Sequence, residues 1–424
     1  MQIHELIKGA LARVYDDIDH LYQDLHRHPE LPFEEVETSR KLAARLDAIG
    51  YEVTTGLGKT GVVGLLQNGE GPCVMLRGDM DALPIREQTG LDYASCRHGG
   101  EGPAVMHACG HDLHASCLTG AAAVLHALRE HWRGTLMVVH QPAEEVFGGA
   151  RAMLRDGLYE RIARPDVILG QHNMPALAGM VGHIAGRAMA AATTLGVTIH
   201  GNGGHGSMPA QAVDPVVIAA HAVVRLQTIV SREVEPSEQV VVTVGKLQAG
   251  TQGNIIPHSA ELEINVRCFS DALLQQVLDA IRRIIDAECL AGRSPKPAEY
   301  RVLSETITLD NDAATVERLR RAHGDYFGEQ RLFEMGRLGG SEDFPYFGNA
   351  AAGGFEGGDI PYAYWFIGAA TAESWAGTRG ERVYDRMRQL PMPHSPYYAP
   401  DRQPALETGT AALVTGALEF LAAR

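Results

Sequence analysis

Residues 107–112, HACGHD, place two histidines, a cysteine and an aspartate in six positions, with Gly110 separating Cys109 from His111. Thiolate and imidazole together are ligands for a zinc-like divalent ion. Structural zinc sites repeat such a pair as two short clusters, and no second CxxC or HxxxH cluster follows here. A metal held by this loop would therefore draw its remaining ligands from distant segments. The adjacent acids Glu144 and Glu145 in QPAEE are suited to share hydrolytic work. One carboxylate can bind metal while the other takes a proton from the water that the metal activates. Taken alone, such a pair reads as a solvated turn, and its spacing does not say which glutamate has which task.

These residues need elements to bring them together. Three segments, CVMLRGDMDALP, GTLMVVHQPAEE and PDVILGQHNMP, each pair an apolar, β-branched run with polar residues that follow it at once. Such runs suit buried strands. Helical patterns lie between them, notably from Leu113 to Trp132, so the alternation predicts an α/β domain with a mainly parallel sheet. Ligands in such sheets sit beyond the carboxyl ends of the strands. That rim would carry Asp79 and Asp81, then Glu144 and Glu145, then His172, beside the HACGHD loop. A buried, satisfied histidine is the commoner reading of His172 by itself, and the coincidence of three strand ends with this loop is what favours a site.

From about Thr193 the pattern changes to strand-like alternation, with helical stretches at DPVVIAAHAVVRLQTIV and DALLQQVLDAIRRIIDAECL. The order β-α-β-β-α-β is that of a ferredoxin-like sandwich. The expected organisation is a catalytic domain over 1–187 and 309–424 with an inserted α+β domain over 188–308.

The chain has 424 residues and a formal net charge of -15. With no long basic run it lacks the electrostatic footprint for nucleic acid or an anionic membrane. No apolar stretch approaches the roughly 20 residues of a membrane span, and the first residues read as an amphipathic helix and not as an export signal. Six scattered cysteines then predict reduced thiols and a cytoplasmic protein. Two nucleotide-like motifs fail. Val53 stands where the first glycine of a P-loop ending in GKT belongs, and GNGGHG, residues 201–206, is followed by Pro209 without the acid expected about 20 residues on.

The residues resemble the amidohydrolase branch of the dinuclear metallopeptidases, which includes hippurate hydrolases, N-acyl-amino-acid amidohydrolases and hydrolases of indoleacetyl amino acids. The ordered motifs are LHRHPELPFEE from Leu25, RGDMDALPI from Arg77, MHACGHDLH from Met106, QPAEE from Gln141 and GQHNMP from Gly170. They continue with GGHGSMP from Gly203, AGTQGNIIP from Ala249, GGSEDFPYF from Gly339 and HSP from His394. The resemblance implies two divalent metal ions, zinc or manganese with nickel or cobalt as substitutes, held by Cys109, His111, Glu145, His172 and His394 with one ligand shared. It implies Glu144 as general base and His205 and Asn254 as groups that reach the substrate, His205 often across a dimer interface to the carbonyl oxygen. Arg267 is a candidate donor to a substrate carboxylate; as a strand arginine in an ion pair it would be structural. Asp79 and Asp81 are expected to orient imidazoles or water from behind the ligands, while Asp112 either does the same or caps the following helix. Pro393 departs from the leucine usual before this histidine, and the segment from Trp365 to His394 is longer than usual. Trp365, Trp375 and Tyr384 would line the acyl side of the pocket or ornament the surface.

The implied activity is cleavage of N-acyl amino acids to a carboxylic acid and a free amino acid, by a homodimer joined through the inserted domain. The alternatives are a dipeptidase or carboxypeptidase with the same metals, a metal-binding protein without chemistry, and redox sensing through a low-pKa Cys109 thiolate.

Overall fold

The computed structural model describes residues 2–98 and 102–423. Backbone packing divides the chain into two units: a larger one of Met1–Gly186, Asp310–Gly336 and Asp343–Arg424, and a smaller one of Arg187–Leu309 with Arg337–Glu342.

In the larger unit, strands β1 (Glu52–Leu57), β2 (Gly61–Asn68), β3 (Cys73–Asp79), β4 (Trp132–Gln141) and β5 (Val167–Leu177) join four later strands, one of them, Ala422–Ala423, pairing off the main path with β4. The sheet order is β1, β2, β4, β3, β5, Tyr362–Ala370, Val181–His183 and Leu332–Glu334. Strands β4, β3, β5 and Tyr362–Ala370 run parallel at its centre, with antiparallel pairings toward the β1 edge. The sheet is thus mainly parallel where its strands are most apolar, because those strands are covered on both faces. Helices α1 (Gln2–Arg27), α2 (Val36–Ile49) and α3 (His111–Ala127) are joined in the core by the helix Arg402–Phe420, which packs on α3 and α1. Helix α3 is buried on nearly every side, lying between the sheet and other helices, with His111, Asp112 and His114 gathered in its first turn.

Two expectations about these elements differ from the structure. The helical pattern from Leu113 to Trp132 overruns the helix, which ends at Ala127. Trp132 is extended and opens β4, with its indole N–H donating to the Leu125 carbonyl at 2.9 Å. An apolar residue in register with a helix face has been used by the next strand. His172 is inside β5 and not beyond its end. Strand β5 continues to Leu177 because Tyr362–Ala370 pairs beside it through that stretch, Phe366 opposite His172 and Ala370 opposite Leu177.

The smaller unit is a four-stranded antiparallel sheet, ordered Val240–Ala249, Ser259–Cys268, Ala191–His200 and Glu299–Thr306. Helices Pro215–Arg232 and Asp271–Ala291 complete the β-α-β-β-α-β connection. Inward residues of the strands, among them Leu195, Val197, Leu262 and Ile264, form one core with Ala222, Leu226, Ile281 and Ile285 of the helices. Among the described residues no helix is long and apolar enough to cross a membrane.

Candidate metal centre

Gly110 has a left-handed backbone at φ 80° and serves as N-cap of α3, so the helix begins at His111. A Cβ at Gly110 would run into the Asn173 side-chain amide of β5. The glycine therefore lets the loop close on the strand and brings Cys109 Sγ to 3.3 Å from His172 Nε2. Beyond β4, the acid pair lies in a tight turn between two residues of positive φ, Ala143 at 50° and Phe147 at 52°. His394 also has positive φ, 71°, and its N–H donates to the Ala108 carbonyl at 2.8 Å, which ties it to the cysteine loop.

These segments converge. Cys109, His111 and His172 form one group of mutually close ligand atoms, and Cys109, Glu145 and His394 form another. The Cys109 sulfur belongs to both, the pattern that two ions with a shared ligand require. His394 Nε2 is 3.3 Å from Glu145 Oε2, and His111 Nε2 is 3.9 Å from oxygens of both Glu144 and Glu145.

The surrounding hydrogen bonds aim the lone pairs. The His172 Nδ1–H donates to the Asn173 carbonyl at 2.6 Å, leaving Nε2 as an acceptor toward Cys109. Asp81 divides its oxygens between His111 Nδ1 at 3.2 Å and the Glu145 amide at 3.0 Å. His111 Nε2 and Glu145 Oε1 are buried polar atoms with no hydrogen-bond partner. Such orphans are costly unless something fills the space between them, and a cation fits both. The donor set of sulfur, imidazole and carboxylate suits a transition-type divalent ion.

Electrostatics agree with that fit. Burial would lower the His111 pKa, but Asp79 and Asp81 outweigh it and push the imidazole up to about 10. The negative field that would hold a proton there is the field a divalent ion answers. His172 is held well below the usual range by burial and then by the neighbouring His114, which favours the neutral imidazole that a metal ligand would need. Burial, followed by Glu145 and Glu144, raises the Cys109 thiol well above its ordinary value. This is the opposite of the low-pKa environment that a redox-sensing thiolate requires.

Asp79 and Asp81 lie behind the imidazoles. Asp79 accepts from Arg77 Nη1 at 2.7 Å and from His114 Nδ1 at 2.5 Å, and His114 Nε2 accepts the Asn173 backbone N–H at 2.9 Å. With both nitrogens engaged, His114 is a brace between β3 and β5. Arg77, fully buried, also donates to Gln141 and Asp343. Asp112 faces away from this group: its Oδ2 bonds His26 Nδ1 at 2.6 Å, and its Oδ1 accepts the Leu113 N–H within the first turn of α3.

The expected substrate-side residues His205, Asn254 and Arg267 belong to the smaller unit. His205 is exposed on the short strand Gly204–His205, opposite Ile255, and its Nδ1 accepts from the Ser207 amide and bonds the Ser207 hydroxyl, so Nε2 is left outward. Asn254 is beside it, its carbonyl accepting the Gly206 N–H at 2.8 Å. Arg267 is half-buried and spends Nε on Asn265 and Nη1 on Gly339 and Ser341. Trp365 is core, against His323, and Trp375 is buried under the Arg386 guanidinium. Burial in packed cores excludes both tryptophans as ornaments on the surface.

Sequence reasoning gave no role to His114, Asn173, Arg77 or Glu35, although all four stand in quoted motifs. For His114 a signal existed, since it follows His111 by three residues on one helix and so shares its face.

The chain is similar throughout to known proteins. Hippurate hydrolase of Campylobacter jejuni is 37% identical over 334 residues, covering 78% of this chain and 85% of its own. N-acetylcysteine deacetylase of Bacillus subtilis is 36% identical over 356 residues, covering 83% and 88%. Among solved structures, a Bacillus subtilis dinuclear metal-binding peptidase from the M20 family superposes with a TM-score of 0.73 at 28% identity, over 97% of this chain and 99% of that one. The family model for peptidases M20/M25/M40 matches residues 75–375, the span that holds four of the five expected ligands. This chain belongs to peptidase family M20/M25/M40.

Proposed function

We propose that this protein is a metal-dependent amidohydrolase that cleaves the amide of N-acyl amino acids, such as hippurate-like, N-acetyl or indoleacetyl conjugates, to a carboxylic acid and a free amino acid. The observation that carries this reading is the pair of ligand groups sharing Cys109, with Glu144 beside them. The family relatives named for hydrolysis of acylated amino acids support it. Cys109, His111, Glu145, His172 and His394 would hold two divalent ions, zinc or manganese, nickel and cobalt being substitutes. When bound, such ions supply Lewis acidity and bring the pKa of water from about 15.7 toward about 7.

The chain's own residues do the rest. Glu144, buried at the start of the turn, takes a proton from water as the oxygen adds to the amide carbon. It returns that proton to the nitrogen as the C–N bond breaks. His205 Nε2 would donate to the carbonyl oxygen as charge develops there, Asn254 would help hold the acyl amino acid, and Arg267 is the candidate donor to its carboxylate. Six free cysteines support a reducing, cytoplasmic setting. The edge strand Val240–Ala249, with Val241 and Leu247 exposed, supports a homodimer through the smaller unit.

The test is amine release from hippurate, N-acetylmethionine, indoleacetyl-aspartate and a dipeptide, using chelated protein with and without manganese or zinc. Metal-dependent cleavage of an acylated member is expected. Cleavage of the dipeptide alone would reassign the protein as a peptidase, and silence on every substrate with both ions bound would overturn hydrolysis.

A further inference from the structure

The turn that carries Glu144 and Glu145 is held from outside. Ala143, immediately before them, has φ 50°, a left-handed conformation that an alanine does not adopt without support. Its N–H donates to Glu35 Oε1 at 2.9 Å, and Glu35 Oε2 accepts from the Thr60 hydroxyl at 2.6 Å. Glu35 is completely buried.

The ordinary role of an acid at this place is already filled. Glu35 stands at the N-cap of α2, yet its side chain makes no cap hydrogen bond. Glu30 does that work instead, accepting from the Glu37 and Thr38 amides at 3.1 and 2.7 Å. The same two segments approach closely a second time: a Cβ built at Gly148, past the acid pair, would meet the Phe33 ring at 3.1 Å. Burial, with the charge of Asp81 adding to it, pushes the Glu35 carboxyl up to about 6. A buried acid is thus kept close to an acidic centre, where an apolar residue would avoid that cost.

We propose that Glu35 is a positioning residue for the catalytic turn: by holding the Ala143 amide it fixes the direction in which Glu144 and Glu145 leave the sheet. Glu145 is then delivered to its ion and Glu144 to the water. The second half of this role rests on the hydrolytic reading above; the first does not.

The experiment compares Glu35→Ala and Glu35→Gln by titrating the chelated protein with zinc against a chromophoric competitor, then by kinetics on the best acylated substrate. Glu35→Ala should weaken one of the two ions by about 10–100-fold. It should also lower kcat of the fully loaded enzyme by about 100-fold with KM little changed, as a small misplacement of a reacting group does. Glu35→Gln still accepts the Ala143 N–H and can donate to Thr60, so it should recover most of both losses. Wild-type affinity for both ions in Glu35→Ala would overturn the proposal. A Gln variant as impaired as the Ala variant would also overturn it, by assigning the effect to charge. Should Glu35→Ala fail to fold, Glu35→Asp keeps the charge, draws the oxygens back by one methylene, and should show the same loss of ion affinity. The titration uses no substrate, so it decides the proposal even if the hydrolytic reading fails.

Discussion

Asp81 serves the centre at two points, one oxygen on His111 and the other on the Glu145 amide. Asp81→Asn places an N–H toward one of these donors and should weaken metal affinity by about 10–100-fold, read by titration of the chelated protein. Glu144→Gln should behave differently. It is expected to abolish turnover while both ions stay bound, measured as activity beside metal content; near-normal turnover would end its role as base. Cys109 separates the states again, since a coordinated sulfur should resist alkylation and a chelated one should not. At this scale the sequence was legible where chemistry is concentrated, as in HACGHD and QPAEE. It was silent on Glu35 because nothing in FEE distinguishes an acid that caps its own helix from one that supports a turn more than a hundred residues away.

The strands were readable because buried parallel strands need uninterrupted apolar runs, and CVML, LMVV and VIL supply them. Their ends were less readable. Nothing local reveals that β5 continues past His172, because the reason is a partner, Tyr362–Ala370, from far along the chain. Trp132 shows the same limit, as its place in a helical period says nothing of the strand it opens. Pairing across distant elements also creates a pH response. His183, ending its strand, and His323, on the helix Ala313–Phe327, are buried and 2.8 Å apart. Burial lowers His323 to about 4 and, with the charge of His323, holds His183 well below its ordinary value. Folded pKa values below the unfolded 6.5 mean that the native state binds fewer protons. This stability is therefore present above about pH 6.5 and is lost as pH falls toward 4, on the order of 3 kcal/mol from His323 alone. Thermal melts from pH 7.5 to 4 should show a flatter acid limb in the double variant His183→Leu/His323→Leu than in the parent.

Each unit has its own apolar core, and all five expected ligands are in the larger one. Metal bound only to the folded larger unit stabilises that unit by mass action. Chelation should therefore lower one calorimetric transition by several degrees and leave the other, from the smaller unit, in place. His205→Ala is the complement: with its residue in the smaller unit, it should cost about 100-fold or more in kcat without changing metal content. The same division has a consequence for how the protein is made. Cys109, His111, Glu145 and His172 leave the ribosome before any of the smaller unit. The strand that lies beside β5 and then His394 follow only after it, roughly two hundred residues later. During synthesis the nascent chain would thus carry the thiol and acids of the proposed site before the imidazole of His394. If these residues hold the two ions as proposed, the centre would be completed only once His394 has emerged, near the end of synthesis.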